Sequence, residues 1–115
     1  MKELSGAKIA ALRRERKRLL RGLAELSLVI RGSYVERFST CSRPKCACHR
    51  GKRHGPRAYV AVTRNKAQRQ CYVPKSQVEA VRAGVAQYHR LLAIVDRISC
   101  INLQLMRAGK LDESV

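Results

Sequence analysis

Three cysteines and two histidines crowd into the run Cys41-Ser-Arg-Pro-Lys-Cys46-Ala-Cys48-His49-Arg-Gly-Lys-Arg-His54. Thiolate and imidazole are the donors zinc prefers, and a closed structural site needs four of them. Cys41, Cys46, Cys48 and His54 supply that number in a C-x4-C-x-C-x5-H spacing, with Pro44 to turn the loop and Gly51 and Gly55 to let the backbone fold round the ion. The expected cofactor is one Zn2+. His49 competes less well because it directly follows Cys48, and adjacent side chains rarely converge on one ion. Cys71 is an alternative fourth ligand to His54, whereas Cys100 reads as a small buried apolar residue. The plain alternative is a basic loop of reduced, unligated thiols.

Such a site is expected to be a folding device, since the loop has almost no apolar content and bound metal substitutes for a core. A catalytic zinc would need an open position and a nearby general base, and the only acid between Arg31 and Lys75 is Glu36. There is no H-x-E element to pair with the cysteines for deamination, no Walker loop and no G-x-G-x-x-G. No enzymatic activity is expected.

Two periodic segments bracket the cluster. Ile9, Leu12, Leu19, Leu23, Leu26 and Ile30 follow a 3,4 spacing that only Arg16 interrupts, which predicts a helix over residues 5–31 stopped by Gly32. Val78, Val81, Val85, Tyr88, Leu91, Ile94, Ile98, Ile101 and Leu105 predict a second helix over residues 74–107, with Pro74 in its first turn and Ser76 and Glu79 as a capping box. Alternating apolar residues between them predict strands at Ser33–Thr40, Arg57–Arg64 and Gln68–Val73, the last two joined by a turn at Asn65-Lys66-Ala67. The expected fold is α+β and a single domain: two long helices packed antiparallel in coiled-coil fashion, a zinc-stapled three-stranded antiparallel β insert over residues 33–73, and a tail from 108 to 115. At about 1.5 Å per residue the second helix outreaches the first. Its overhang at Ile98, Ile101 and Leu105 predicts a homo-oligomer or a helical protein partner.

Cys41, Cys46, Cys48, His54, Gly55, Pro56, Tyr59, Tyr72, Val73 and Pro74 give the chain a resemblance to an uncharacterised family of small bacterial and archaeal proteins, a domain of unknown function. Its pattern is a C-x4-C-x-C loop, a His-Gly-Pro, a basic hairpin, and Tyr-Val-Pro opening a long helix, covering about residues 31 to 90. The resemblance implies that metal loop and strand-to-helix junction form one unit, and it suggests a link to mobile elements. It carries no activity to transfer.

Charge supplies the functional expectation. Lys and Arg number 25 against 8 Asp and Glu, a formal charge of +17, which points to a polyanionic partner. Apolar residues are 45% of the chain, too many for a disordered basic tail. Twelve basic residues face one acid between Arg31 and Lys75. Arg43, Lys45, Arg50, Lys52 and Arg53 lie in the metal loop, and Arg57, Arg64, Lys66 and Arg69 follow on the hairpin. A second stripe, Arg13, Arg14, Lys17, Arg18 and Arg21, lies off the apolar seam of the first helix. The expectation is a nucleic-acid-binding protein, DNA or RNA, that grips the phosphate backbone as an accessory or structural subunit of a nucleoprotein complex. Tyr34, Phe38, Tyr59 and Tyr72 suit either base stacking or packing of the sheet. The rival expectation is a zinc-stabilised coiled-coil adaptor with an acidic protein partner. Without a membrane-length apolar run or a hydrophobic leader, a cytoplasmic setting and no membrane partner are expected.

Overall fold

The computed structural model describes residues 4–111, so the last four residues of the expected tail lie outside the described residues. The fold is α+β, with two helices and a three-stranded antiparallel sheet. In chain order the elements are α1 (Gly6–Ala24), β1 (Ser33–Ser39), a 3-10 turn at Ala47–Arg50, β2 (His54–Arg64), β3 (Ala67–Val73), a second 3-10 turn at Lys75–Gln77, and α2 (Val78–Arg107). The chain divides into two compact units, Met1–Ser27 with His89–Val115, and Leu28–Tyr88.

In the first unit Ser5 caps α1 by accepting a hydrogen bond from the Lys8 amide at 3.2 Å. Leu12, Ile101 and Leu105 form the core, with Leu4, Ile9 and Leu19 packed around them. Arg16, the residue that broke the apolar spacing, donates to Asn102 Oδ1 at 2.8 Å, and Arg97 grips Glu15 with two bonds of 2.6 and 2.8 Å. That Arg97 guanidinium holds the Glu15 carboxyl below its ordinary range. The expected overhang does not exist at Ile101 and Leu105, which are fully buried against Leu12. Cys100, expected to be buried, is exposed, because one residue of helix turns it about 100° away from Ile101.

Helix α1 stops at Ala24, short of the expected Arg31. The Leu26 amide turns back to the Leu23 carbonyl, after which the backbone is claimed by the second unit. There the Leu28 amide donates to Gln87 Oε1 at 2.8 Å and the Ile30 amide to the Gly84 carbonyl at 3.0 Å. A Cβ at Gly84 would lie 2.5 Å from the Leu28 carbonyl oxygen, so this crossing exists only because residue 84 has no side chain. Ile30 thereby leaves the helical series and joins the core of the sheet.

The sheet order is β1-β2-β3. Val60 pairs with Tyr34 on one side and Cys71 on the other, and Ala58 with Glu36 and Val73. Since successive side chains alternate faces, Ala58, Val60 and Val62 share one face and pack with Val73, Tyr34, Val78 and Val81. Asn65 and Lys66 both have positive φ, 49° and 66°, and Arg64 pairs with Ala67. The turn is therefore a tight two-residue loop of the hairpin type, one residue shorter than expected. The 3-10 turn before α2 is closed by the Gln77 amide on the Pro74 carbonyl at 2.9 Å. Among the described residues no helix is long and apolar enough to cross a membrane.

Helix propensity alone would credit Gly84→Ala with about 1 kcal/mol of stabilisation. The Leu28 crossing reverses the sign: overpacking of this kind costs about 1–3 kcal/mol, so the substitution should lower the midpoint of chemical unfolding.

Candidate metal centre

The register of β1 on β2 builds the cluster. Ser39, the last residue of β1, pairs with His54, the first of β2, so the intervening loop must leave and return at one end of the sheet. The expected start of β2 was Arg57; pairing extends three residues earlier and makes His54 a strand residue. The register shifts between Arg37 and Ser39, so that Gly55 and Pro56 lie opposite Phe38 alone and the extra residue bulges β2 against β1. Gly55 has a φ of 132°, and a Cβ there would lie 2.8 Å from the Arg37 carbonyl oxygen. Only glycine allows the two strands to approach so closely beside His54.

Within the loop the Cys46 amide donates to the Arg43 carbonyl, which closes the turn around Pro44, and the 3-10 turn Ala47–Arg50 ends on Gly51 with positive φ. These two turns aim the thiols at one point. Cys46 Sγ lies 3.3 Å from His54 Nε2, Cys48 Sγ lies 3.6 Å from Cys41 Sγ, and the Cys41 amide points at Cys48 Sγ from 3.2 Å. All four donor atoms fall within 4.8 Å of one another, so the group could hold a metal ion. A tetrahedral zinc with Zn–S bonds of about 2.3 Å sets its sulfurs about 3.8 Å apart, which this arrangement meets with small adjustment. Cys48 is buried, Cys41 and Cys46 half-buried, and His54 exposed.

The electrostatics favour a cation. Hydrogen bonds from the Cys48 amide and thiol, from Cys41 and from His54 lower the Cys46 thiol to about 6, while burial pushes the Cys48 thiol up. Burial opposes charge on Cys48, and a divalent ion held beside it would remove that opposition.

The remaining sequence candidates separate cleanly. His49 is exposed on the 3-10 turn and outside the group, and Cys71 lies exposed on β3 opposite Val60, also outside it. Around the cluster Arg43, Lys45, Arg50, Lys52 and Arg53 are all exposed. Along the hairpin Arg57, Arg64, Lys66 and Arg69 are exposed as well. In the other unit Arg14, Lys17, Arg18 and Arg21 line one shallow basic depression with Ala11, while Arg13 donates to the Lys110 carbonyl at 2.9 Å. Of the aromatic residues, Tyr34 packs with the core and donates its hydroxyl to Glu36 at 2.9 Å, with Arg82 over its ring at 5.1 Å. Phe38 and Tyr72 are exposed. Sequence spacing could not sort these four rings, because the sorting depends on the register of β1 and β3 on β2.

Elemental analysis should find about one zinc per chain. Cys46→Ser should abolish it and lower the melting temperature, and Cys71→Ser should change neither.

No curated protein and no solved structure matches the chain. Residues 9–83 match the family described as Domain of unknown function (DUF6788), which takes in α1 from Ile9 onward, the whole sheet, the cysteine loop and the start of α2. The chain belongs to that family of unknown function.

Proposed function

We propose that this chain is a non-enzymatic, zinc-stapled nucleic-acid-binding protein that contacts the phosphate backbone, as an accessory or structural subunit of a nucleoprotein complex. The observation that carries the reading is the setting of the Cys3His cluster. Arg43, Lys45, Arg50, Lys52 and Arg53 project from a loop with positive charge alone, and none of them makes an ion pair among the described residues. Zinc coordination would hold their backbone still, so phosphate contacts would cost little ordering entropy. Glu36, the one acid in this segment, already accepts the Tyr34 hydroxyl and so is a poor candidate for a general base. With four protein donors the ion would have no open position for substrate, which supports a structural role.

The first helix adds a second surface through Arg14, Lys17, Arg18 and Arg21. Antiparallel pairing of the two helices belongs to the same proposal. It is supported by partners that run in opposite order along the chain: Arg13 reaches Lys110, and Gly22 faces Ile94.

A helix-mediated protein partner is the second reading, and one observation favours it. Leu92, Val95, Leu103 and Met106 are each about half exposed and fall within about 80° of one another around α2, at 100° per residue. A second copy would cover this stripe, and sedimentation at tens of micromolar should then show more than a monomer, with Leu103→Asp restoring it.

About six phosphate contacts, at 0.7 to 0.9 each in the slope of log affinity against log salt, should weaken binding on the order of a thousandfold between about 50 and 200 mM salt. Reversing Arg50, Lys52 and Arg53 to Glu should reduce both affinity and slope. Arg90→Glu with Arg107→Glu is the control, since both are exposed outside the dense segment; Arg82 is unsuitable because it stacks on Tyr34. Affinity indifferent to salt and to the triple reversal would return the charge to the adaptor reading.

A further inference from the structure

We propose that the face of the sheet opposite its core, centred on Tyr59 and Tyr72 with Arg37 and Arg57 beside them, is a stacking platform for unpaired bases of a single-stranded nucleic acid. This rests on the nucleic-acid reading above and adds to it the form of the ligand.

The register assigns the faces. Val35, Tyr59 and Tyr72 lie directly opposite one another across the three strands, one residue out of step with the core row Tyr34, Val60 and Cys71. Their side chains therefore point away from Ala58, Val60 and Val73. Tyr72 keeps 59% of its surface exposed on an ordered strand. The half-buried Tyr59 ring meets it edge to face, with centroids 5.8 Å apart and planes at 69°, which props the Tyr72 ring in place. Beyond that edge contact the exposed part of the ring gains nothing for the fold; a base laid on it removes apolar surface from water.

The neighbouring row supplies the charge. Arg37 and Arg57 pair directly across β1 and β2, a like-charge juxtaposition that destabilises a ladder. Neither makes an ion pair among the described residues; Glu36 alternates to the core face, and Glu79, in the first turn of α2, lines a groove that also includes Arg57 and Tyr72. A phosphate between the two guanidinium groups would relieve the repulsion. The rows of Arg57 and Tyr59 are adjacent on β2, so one nucleotide can place its phosphate on the first and its base on the second.

The ligand's form follows from the geometry. In a duplex both faces of every interior base are covered by neighbours, so a flat sheet bearing a fixed tyrosine finds no π-face to engage. In a single strand each base has one to offer, and stacking of this kind tolerates any sequence.

Fluorescence anisotropy should compare the full chain, loaded with zinc, on a fluorescein-labelled single strand, on the duplex of the same sequence and on an abasic strand of equal length. The expected result is preference for the single strand over both others. Tyr72→Ala should weaken single-strand binding on the order of tenfold, the usual worth of one base stacked on an aromatic ring, with the salt slope and duplex affinity unchanged. Tyr72→Phe, which keeps the ring, should bind as wild type. Equal binding of abasic and base-bearing strands, or equal loss on single strand and duplex in Tyr72→Ala, would overturn the platform while salt dependence and the Arg50, Lys52 and Arg53 reversal still support backbone binding. If the wild type binds none of the three probes at low salt, the nucleic-acid reading itself fails and the exposed tyrosine row is left to a protein partner.

Discussion

In the Leu28–Tyr88 unit everything depends on the register of the ladder that β2 makes with its two neighbours. β2 is the central strand, and its alternation decides in one stroke what the core contains and what solvent sees: Ala58, Val60 and Val62 inward, Arg57 and Tyr59 outward. A slip of one residue would bury an arginine and expose the valines, so the register is strongly specified. The same ladder sets Ser39 beside His54 and closes the mouth of the cysteine loop. Metal donors, basic loop and exposed aromatic row are thus three results of one pairing, with Gly55 as the residue that lets the strands come close enough for it.

The two units draw on shared sequence in a way periodicity does not reveal. Leu12 and Leu19 serve the first core and Ile30 the second, though all three belong to one 3,4 series interrupted only at Arg16. Helix α2 is likewise divided, Val78 and Val81 packing on the sheet while Ile101 and Leu105 fill the other core. A heptad-like pattern records which residues are apolar; it does not record which core each one joins.

Composition and spacing made the donor set, the three strands and the existence of both helices legible, because each rests on local rules: ligand chemistry, alternation and apolar period. What stayed hidden was set by contacts distant in sequence. The early end of α1 depends on Gln87 and Gly84, some sixty residues later. The role of Arg16 depends on Asn102, and the choice of His54 over Cys71 depends on a strand that begins at His54 and a pairing that places Cys71 opposite Val60. The sorting of the aromatics into a packed Tyr34 and an open Tyr72 is a matter of register alone.

The unequal connections between the strands bear on the order in which this chain assembles. β2 and β3 are joined by two residues already in the twisted conformation a hairpin needs, so their closure is local and fast. β1 and β2 are separated by the whole cysteine loop, whose closure costs more chain entropy and whose own apolar content offers little in return. If the Cys3His group binds an ion as proposed, the expected sequence is a hairpin that closes first and an outer strand that waits for capture of the ion. Metal supply during synthesis would then govern how long the open edge of β2, with its unpaired backbone groups, remains available for the wrong partner.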